Sequence, residues 1–439
     1  MKSTAGLLLL AFLIVFLWGG PHSSPVAAPG PSAAPVSGPW TTGAVGTLGD
    51  VVYAPGEHYI NLSNEGLYDP VLWVVILDYN TLTIEAGATV RFLNHPTRAP
   101  VVIRAVGDIV IAGELNLDGA DGRLVGDALG HSEPGPGGFR GGTGIVAALS
   151  EISDGHGPGG GFNDGSHPSL GTASGSHATI GSANSFGAVA GAQYGSGFAV
   201  PLIGGSGGTG AGPGFGLHNS GGGGAGGGAI LLGSDTSIHL SGLISVGGGD
   251  GSDAQPWGFI HAGSGGLIRL ASPVITWGGT GIPVMDATGG WNGGGDGWIR
   301  VETPGVVQLP STPGATYAQQ LGTFLPTSLP TVTLSSWWDD TTSQWVPMGQ
   351  DPHSVIDDGM RADVQLPTSG VRTLRVEGIG IPLNAPLHVR ITDTQGRAVV
   401  DSTHTVGEVA GSTLALSWTD VQVDFSLGVS TVQVRAELP

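Results

Sequence analysis

The chain has 439 residues, of which 40% are hydrophobic, with mean hydropathy +0.19, which excludes a wholly disordered protein. Net charge is −20, and Lys2 is the only lysine, so the acidic surface repels phosphate backbones and makes nucleic acid an unsuitable partner. There is no cysteine, hence neither a disulfide framework nor a lipid anchor on Cys, and 82 glycines with only 11% charged residues disfavour helix nearly everywhere.

In chain order, Lys2, an apolar run from Ala5 to Trp18 and then small residues give residues 1–20 the layout of a secretory signal. The run is short of the roughly 20 residues of a membrane helix, so no stable transmembrane span is expected. Residues 21–50 read as a Pro/Ala/Ser-rich linker, with six prolines between 21 and 39. Residues 51–310 carry one recurring template: aliphatic pairs at x and x+2, then x+8 and x+10, then x+14 and x+16.

From Val101 the template reads Val101, Ile103, Ile109, Ile111, Leu115 and Leu117. A shift of 129 lands on Ile230, Leu232, Ile238, Leu240, Ile244 and Val246. Partial copies start at Leu82 (with Ile84, Val90 and Phe92), at Ile268 (with Leu270, Ile282 and Val284) and at Ile299 (with Val301, Val307 and Leu309). Alternate residues of a strand share a face, and six intervening residues make a corner, so each copy describes one coil of a right-handed parallel β-helix. On this reading the copies at Leu82 and Val101 are successive coils. The continuous apolar run Val71 to Leu77 suits a strand covered on both faces.

The surplus between copies falls after the third strand, which places the loops 118–229, 247–267 and 285–298 along a common edge. The insertion 118–229 is rich in glycine, as in Gly221 to Gly228. Such a chain either stays a flexible surface loop or packs closely as polyproline-II-like strands, because no Cβ intervenes. After a linker at 311–330 the glycine tracts stop. Residues 331–439 read as about seven short strands, an immunoglobulin-like β-sandwich, with a hairpin signal at Asp393 to Gly396.

Asp118, Asp121, Asp250 and Asp253 lie on glycine turns, with Asp121 and Asp250 equivalent under the 129-residue shift. Stacked turns would bring their oxygens together, as a Ca²⁺ site requires; Asp also tolerates tight-turn geometry without any metal. His156, His167 and His177 in the insertion, and His218 and His261 in related loops, lack short ligand spacing and read as solvated side chains. Trp337, Trp338 and Trp345 cluster where the C-terminal strands begin, either as a sugar-binding platform or as sandwich core. A lyase-type site needs a basic residue, for which Arg123, Arg269 and Arg300 are the candidates, although alternation can point Arg269 and Arg300 to solvent. No GxSxG, HExxH or P-loop signature is present, and calcium is the one cofactor the residues suggest.

The phrases Pro201 to Gly208, Gly226 to Leu232, Gly263 to Leu270 and Gly295 to Val301 resemble a set of glycine-rich secreted bacterial proteins of mostly unknown function, with the look of pectate-lyase-like β-helices. The resemblance spans roughly residues 80–302. It implies a fold and a secreted address and carries no active site. The sequence thus points to a secreted cell-surface structural or adhesive protein without catalysis, facing polysaccharide or cell-envelope components. The alternatives are a polysaccharide lyase or glycosidase of pectate-lyase-like fold, and a non-catalytic carbohydrate-binding protein.

Overall fold

In the computed structural model the described residues are 10–12 and 40–436, apart from 124–130, 145–153, 164–170, 212–220, 253–260, 279–283, 292, 327–330, 341, 348–354, 357–359, 362–370, 380–385, 394–397, 406–415 and 425–429. They are almost entirely β and loop, with one short helix, Leu62–Glu65. No helix among them is long and apolar enough to cross a membrane.

Three largely parallel sheets organise residues 50–318. The chain passes through them in a fixed order, for example Val74–Tyr79 in the first, Thr81–Ile84 in the second and Ala88–Leu93 in the third. The next round is Val101–Ala105, Ile109–Ile111 and Glu114–Asn116. After the insertion comes Ala229–Ser234, Ser237–Leu240 and Leu243–Ser245, and then Leu267–Ala271, Val274–Trp277 and Val284–Asp286. Val101 pairs with Ile230, Ile109 with Ile238 and Leu115 with Ile244, so the 129-residue shift is the strand register itself.

The copy at Leu82 is out of phase. Leu82 pairs with Ile109, the second strand of the template, whereas the partner of Val101 is Val75, 26 residues earlier and inside the continuous apolar run. That run is covered on both faces: Leu77 points into the core between the sheets, while Val74 and Ile76 pack against a second cluster with Val102, Leu231 and Phe324. In the copy at Ile268, Met285 rather than Val284 aligns with Ile244, and Ile282 lies outside the described residues. Val307 and Leu309 pack against the core without forming a strand.

The glycine-rich segments join this body through their backbones. The N–H groups of Gly222, Ala225 and Gly228 donate to Arg123, Ala120 and Leu117. Those of Gly223, Gly226 and Ala229 donate to Gly142, Phe139 and Pro136, and those of Gly224 and Gly227 to His261 and Ser264. Every third residue faces the same neighbour, the three-per-turn periodicity of a polyproline-II helix. Carbonyls of the same stretch accept from Ser252 and Gly249, from Gly208 and Gly205, and from Gly135, while Ser132 Oγ donates to Gly223 O. Residues 222–229 are thereby surrounded by five stretches of the chain, and the second of the two sequence readings of the insertion holds for this stretch. The three loop groups do meet: Gly119 donates to Gly247, Gly248 to Thr288 and Gly265 to Gly295.

From Thr331 onward the strands pair almost wholly antiparallel, whereas before it antiparallel pairing is confined to short stretches such as Leu67–Asp69 against Val74–Tyr79. Thr331–Asp339 lies between Gln344–Pro347 and Val371–Ile379, which pairs in turn with Leu416–Asp424. A second sheet orders Ser430–Ala436, Pro386–Asp393 and Ala398–Thr405. The last two form the expected hairpin, whose turn, residues 394–397, is outside the described residues. Leu10–Phe12, within the expected signal segment, pairs in parallel with Ser430–Ala436; the remainder of 1–20 and residues 21–39 of the linker lie outside the description.

Candidate functional site

Adjacent strand residues face opposite ways, so Trp337 and Trp338 cannot serve the same surface. Trp337 pairs with Leu374 and is buried with it and Val421. Trp338 pairs with Trp345 on the other face, their rings edge to face with centroids 5.4 Å apart. Both are half-buried. Beside them the Arg375 guanidinium lies 3.9 Å from the centroid of the Trp345 ring and donates through Nε and Nη2 to Asp420 Oδ1 and Oδ2 at 2.8 and 3.0 Å.

The expected set of three tryptophans therefore divides: one fills the core, and two share an outer face with an arginine and an exposed carboxylate. Arg375 and Asp420 were not singled out by the sequence, since only the cross-strand register places them there. Chemically, this face offers aromatic surface for the apolar side of a sugar ring next to charged groups for its hydroxyls.

The turns lie next to each other, and their carboxylates bond to the backbone of the neighbouring turn. Asp121 Oδ1 accepts from Asp250 N at 2.8 Å, and Asp250 Oδ1 accepts from Trp291 N at 2.6 Å. Asp118 Oδ1 accepts from Ser245 Oγ and Gly247 N at 2.5 and 2.6 Å, and its Oδ2 accepts from Asn116 Nδ2. Burial pushes the Asp118 carboxyl up, against the lowering effect of these hydrogen bonds, and the nearby Asp286 adds to the rise. Asp253 lies outside the described residues, among which no group of three or more His, Asp or Glu is placed to hold a metal.

Arg269 and Arg300 do not point to bulk solvent. They stand side by side on the outward face of the first sheet, beneath the cluster that includes Phe324 and Trp298. Both donate through Nε to Glu302 Oε1, at 2.8 and 2.7 Å, and Arg269 also donates to the carbonyls of Thr323 and Phe324. Burial tends to raise Glu302, but the two guanidiniums outweigh it and hold the carboxyl low. Arg123 is exposed.

The histidines also differ from expectation. His177 is fully buried, stacked on Tyr194 with centroids 4.5 Å apart, and its Nδ1 donates to Gly265 O at 2.8 Å. Burial pushes it down to about 4, against the raising effect of the backbone carbonyls. Tyr194 OH donates to Gly204 O and accepts from Ser206 Oγ, so the network belongs to the interior of the glycine bundle. His261 is buried and His156 half-buried, while His167 and His218 lie outside the described residues. In comparison with known proteins, the chain matches no protein-family model, no curated protein and no solved structure.

Proposed function

We propose that the protein is a non-catalytic, secreted structural or adhesive protein: a right-handed parallel β-helix buttressed by a glycine bundle, carrying an immunoglobulin-like sandwich that docks onto polysaccharide. Right-handedness is supported by the fixed strand order, since parallel crossovers are right-handed in about 98% of cases. The observation that carries the binding role is the outer face of Trp338, Trp345, Arg375 and Asp420. Against turnover at the lyase-type arginines stands their chemistry: Arg269 and Arg300 are both committed to Glu302, which leaves neither available as proton acceptor.

Co-sedimentation of the full chain with insoluble polysaccharides tests the proposal. Retention is expected, with a loss of about tenfold or more in affinity for Trp338→Ala and Trp345→Ala, a base-stacking-sized effect of roughly 1–3 kcal/mol per ring. Unsaturated or reducing-end products, or retention indifferent to both substitutions, would contradict it.

A further inference from the structure

The outer face that holds Trp338 and Trp345 carries a charge arrangement as well as rings. Arg375 lies between two neighbouring strands, with Ser336 opposite it on one side and Asp420 on the other. Opposed residues of an antiparallel pair share a face, as do Ser336 and Trp338, two apart on one strand. The small Ser336 side chain lets the arginine cross that strand to the Trp345 ring on the next, 3.9 Å from its centroid.

The guanidinium is thereby committed twice. Its Cζ lies over Trp345, and its Nε and Nη2 edge meets both oxygens of Asp420 at 2.8 and 3.0 Å. That two-bond contact is the one by which an arginine ordinarily recognises a carboxylate. Asp420 thus stands where the carboxylate of an acidic sugar would bind. The two side chains are 22% and 31% exposed, so a polymer laid across the rings meets a pair already formed.

A second carboxylate is close by. Glu377 is two residues from Arg375 on the same strand, hence on the same face. The Asp420 hydrogen bonds push Arg375 up most strongly, burial opposes them, and the charges of Asp420 and Glu377 add to the rise. Beside the rings one guanidinium therefore meets two carboxylates, in a chain of net charge −20. In the other direction along the strand, Thr373 alternates onto the same face and pairs with the exposed Gln422. Both are uncharged, and both can donate to or accept from hydroxyls.

We propose that this face selects uncharged polysaccharide, and that Asp420 sets the selectivity by filling the carboxylate-binding edge of Arg375. The proposal rests on the binding role given to the same face above. A neutral sugar ring stacks on Trp338 and Trp345 and hydrogen-bonds to the ion pair, Thr373 and Gln422 without displacing a partner. A uronate competes with Asp420 for the same donors and lies against Glu377, which is the repulsive element that specificity uses. The pair also joins two strands, as cross-strand ion pairs do. That structural role has no bearing on which polymer binds, so selectivity is the readout that isolates the proposal.

Co-sedimentation of the full chain at physiological ionic strength with cellulose, curdlan and cross-linked polygalacturonate, each alone, tests it. Retention on at least one of the two neutral glucans is expected to exceed that on polygalacturonate by about tenfold or more. Asp420→Asn should raise the ratio of polygalacturonate to glucan retention by about tenfold, and Glu377→Gln by about threefold. Trp338→Ala should lower retention on the glucan. Equal or stronger retention of the unaltered chain on polygalacturonate, or a ratio unmoved by Asp420→Asn, would overturn the selectivity, while a loss with Trp338→Ala keeps the binding role standing. Failure of every polymer to retain the chain would remove both together. Should Asp420→Asn fail to fold, an unmoved ratio in Glu377→Gln, which keeps the ion pair, overturns the proposal alone.

Discussion

In the strand region, Ile103 and Leu232 sit on neighbouring strands and fill the core with side chains. Within a few residues of Leu232 in the chain, Gly224, Gly226 and Gly227 leave no room for one carbon. A Cβ on them would stand 1.9 Å from the carbonyl oxygens of Gly249, Gly205 and Val246. The first region is held by apolar burial, worth about 1.5–3 kcal/mol per large aliphatic. The second relies on backbone hydrogen bonds, each net about 0.5–1.5 kcal/mol, and must offset the larger conformational entropy that glycine loses on ordering. Order in the glycine bundle is therefore a matter of many small, geometrically exacting contacts. Its neighbours in space come from five separate stretches of the chain, 117–123, 132–142, 205–208, 249–252 and 261–264, so the bundle and the sheets should lose structure together.

That contrast can be broken at either side. Gly226→Val puts a branched side chain against the Gly205 backbone, which has nowhere to move, and is expected to destabilise by about 4 kcal/mol or more. Ala225→Gly next to it should change stability by about 1 kcal/mol at most; thermal unfolding of both variants separates them. Leu232→Ala in the strand core should cost about 2–5 kcal/mol, measured by urea unfolding.

A smaller effect reports on the interior of the bundle through pH. His177 titrates near 4 in the folded protein and near its ordinary 6.5 when unfolded. Between these values the unfolded chain binds the extra proton, so the contribution to stability is full above pH 6.5 and is lost progressively as pH falls toward 4. The loss amounts to roughly 3 kcal/mol at 1.36 kcal/mol per pH unit. His177→Gln should flatten that part of the stability profile; an unchanged profile would place the pH dependence elsewhere.

The legible part of the sequence was the part whose physics is periodic. Val101 to Leu117 and Ile230 to Val246 alternate identically, and the register follows. The first round is out of phase with the template because Val71 to Leu77 is apolar on both faces and so hides its alternation, while Leu82 and Ile84 look like any strand pair. The glycine tracts allowed two structures, since glycine composition says nothing about which backbone lies alongside.

At the outer tryptophan face, sequence proximity grouped three rings that strand parity separates, and cross-strand register supplied Arg375 and Asp420. Arg140 sits in no sequence motif. Its ion pair with Glu133, which Arg98 shares, depends on how residues 94–98 lie against residues 132–142, which no local spacing encodes. The His177 network is illegible in the sequence for the same reason that the bundle is ambiguous there: a histidine among glycines looks solvated until the neighbouring backbones are in place.

The most direct measurement is amide hydrogen exchange across Gly222 to Ser234, a stretch that runs from the glycine bundle into a central strand. Protection of Gly222 to Gly228 comparable to that of Ile230 to Gly233 is the expected result, with the two segments released in one cooperative step. Rapid exchange of the glycine amides beside a protected strand would contradict a backbone-ordered bundle, and with it the rigid body on which the adhesive reading rests.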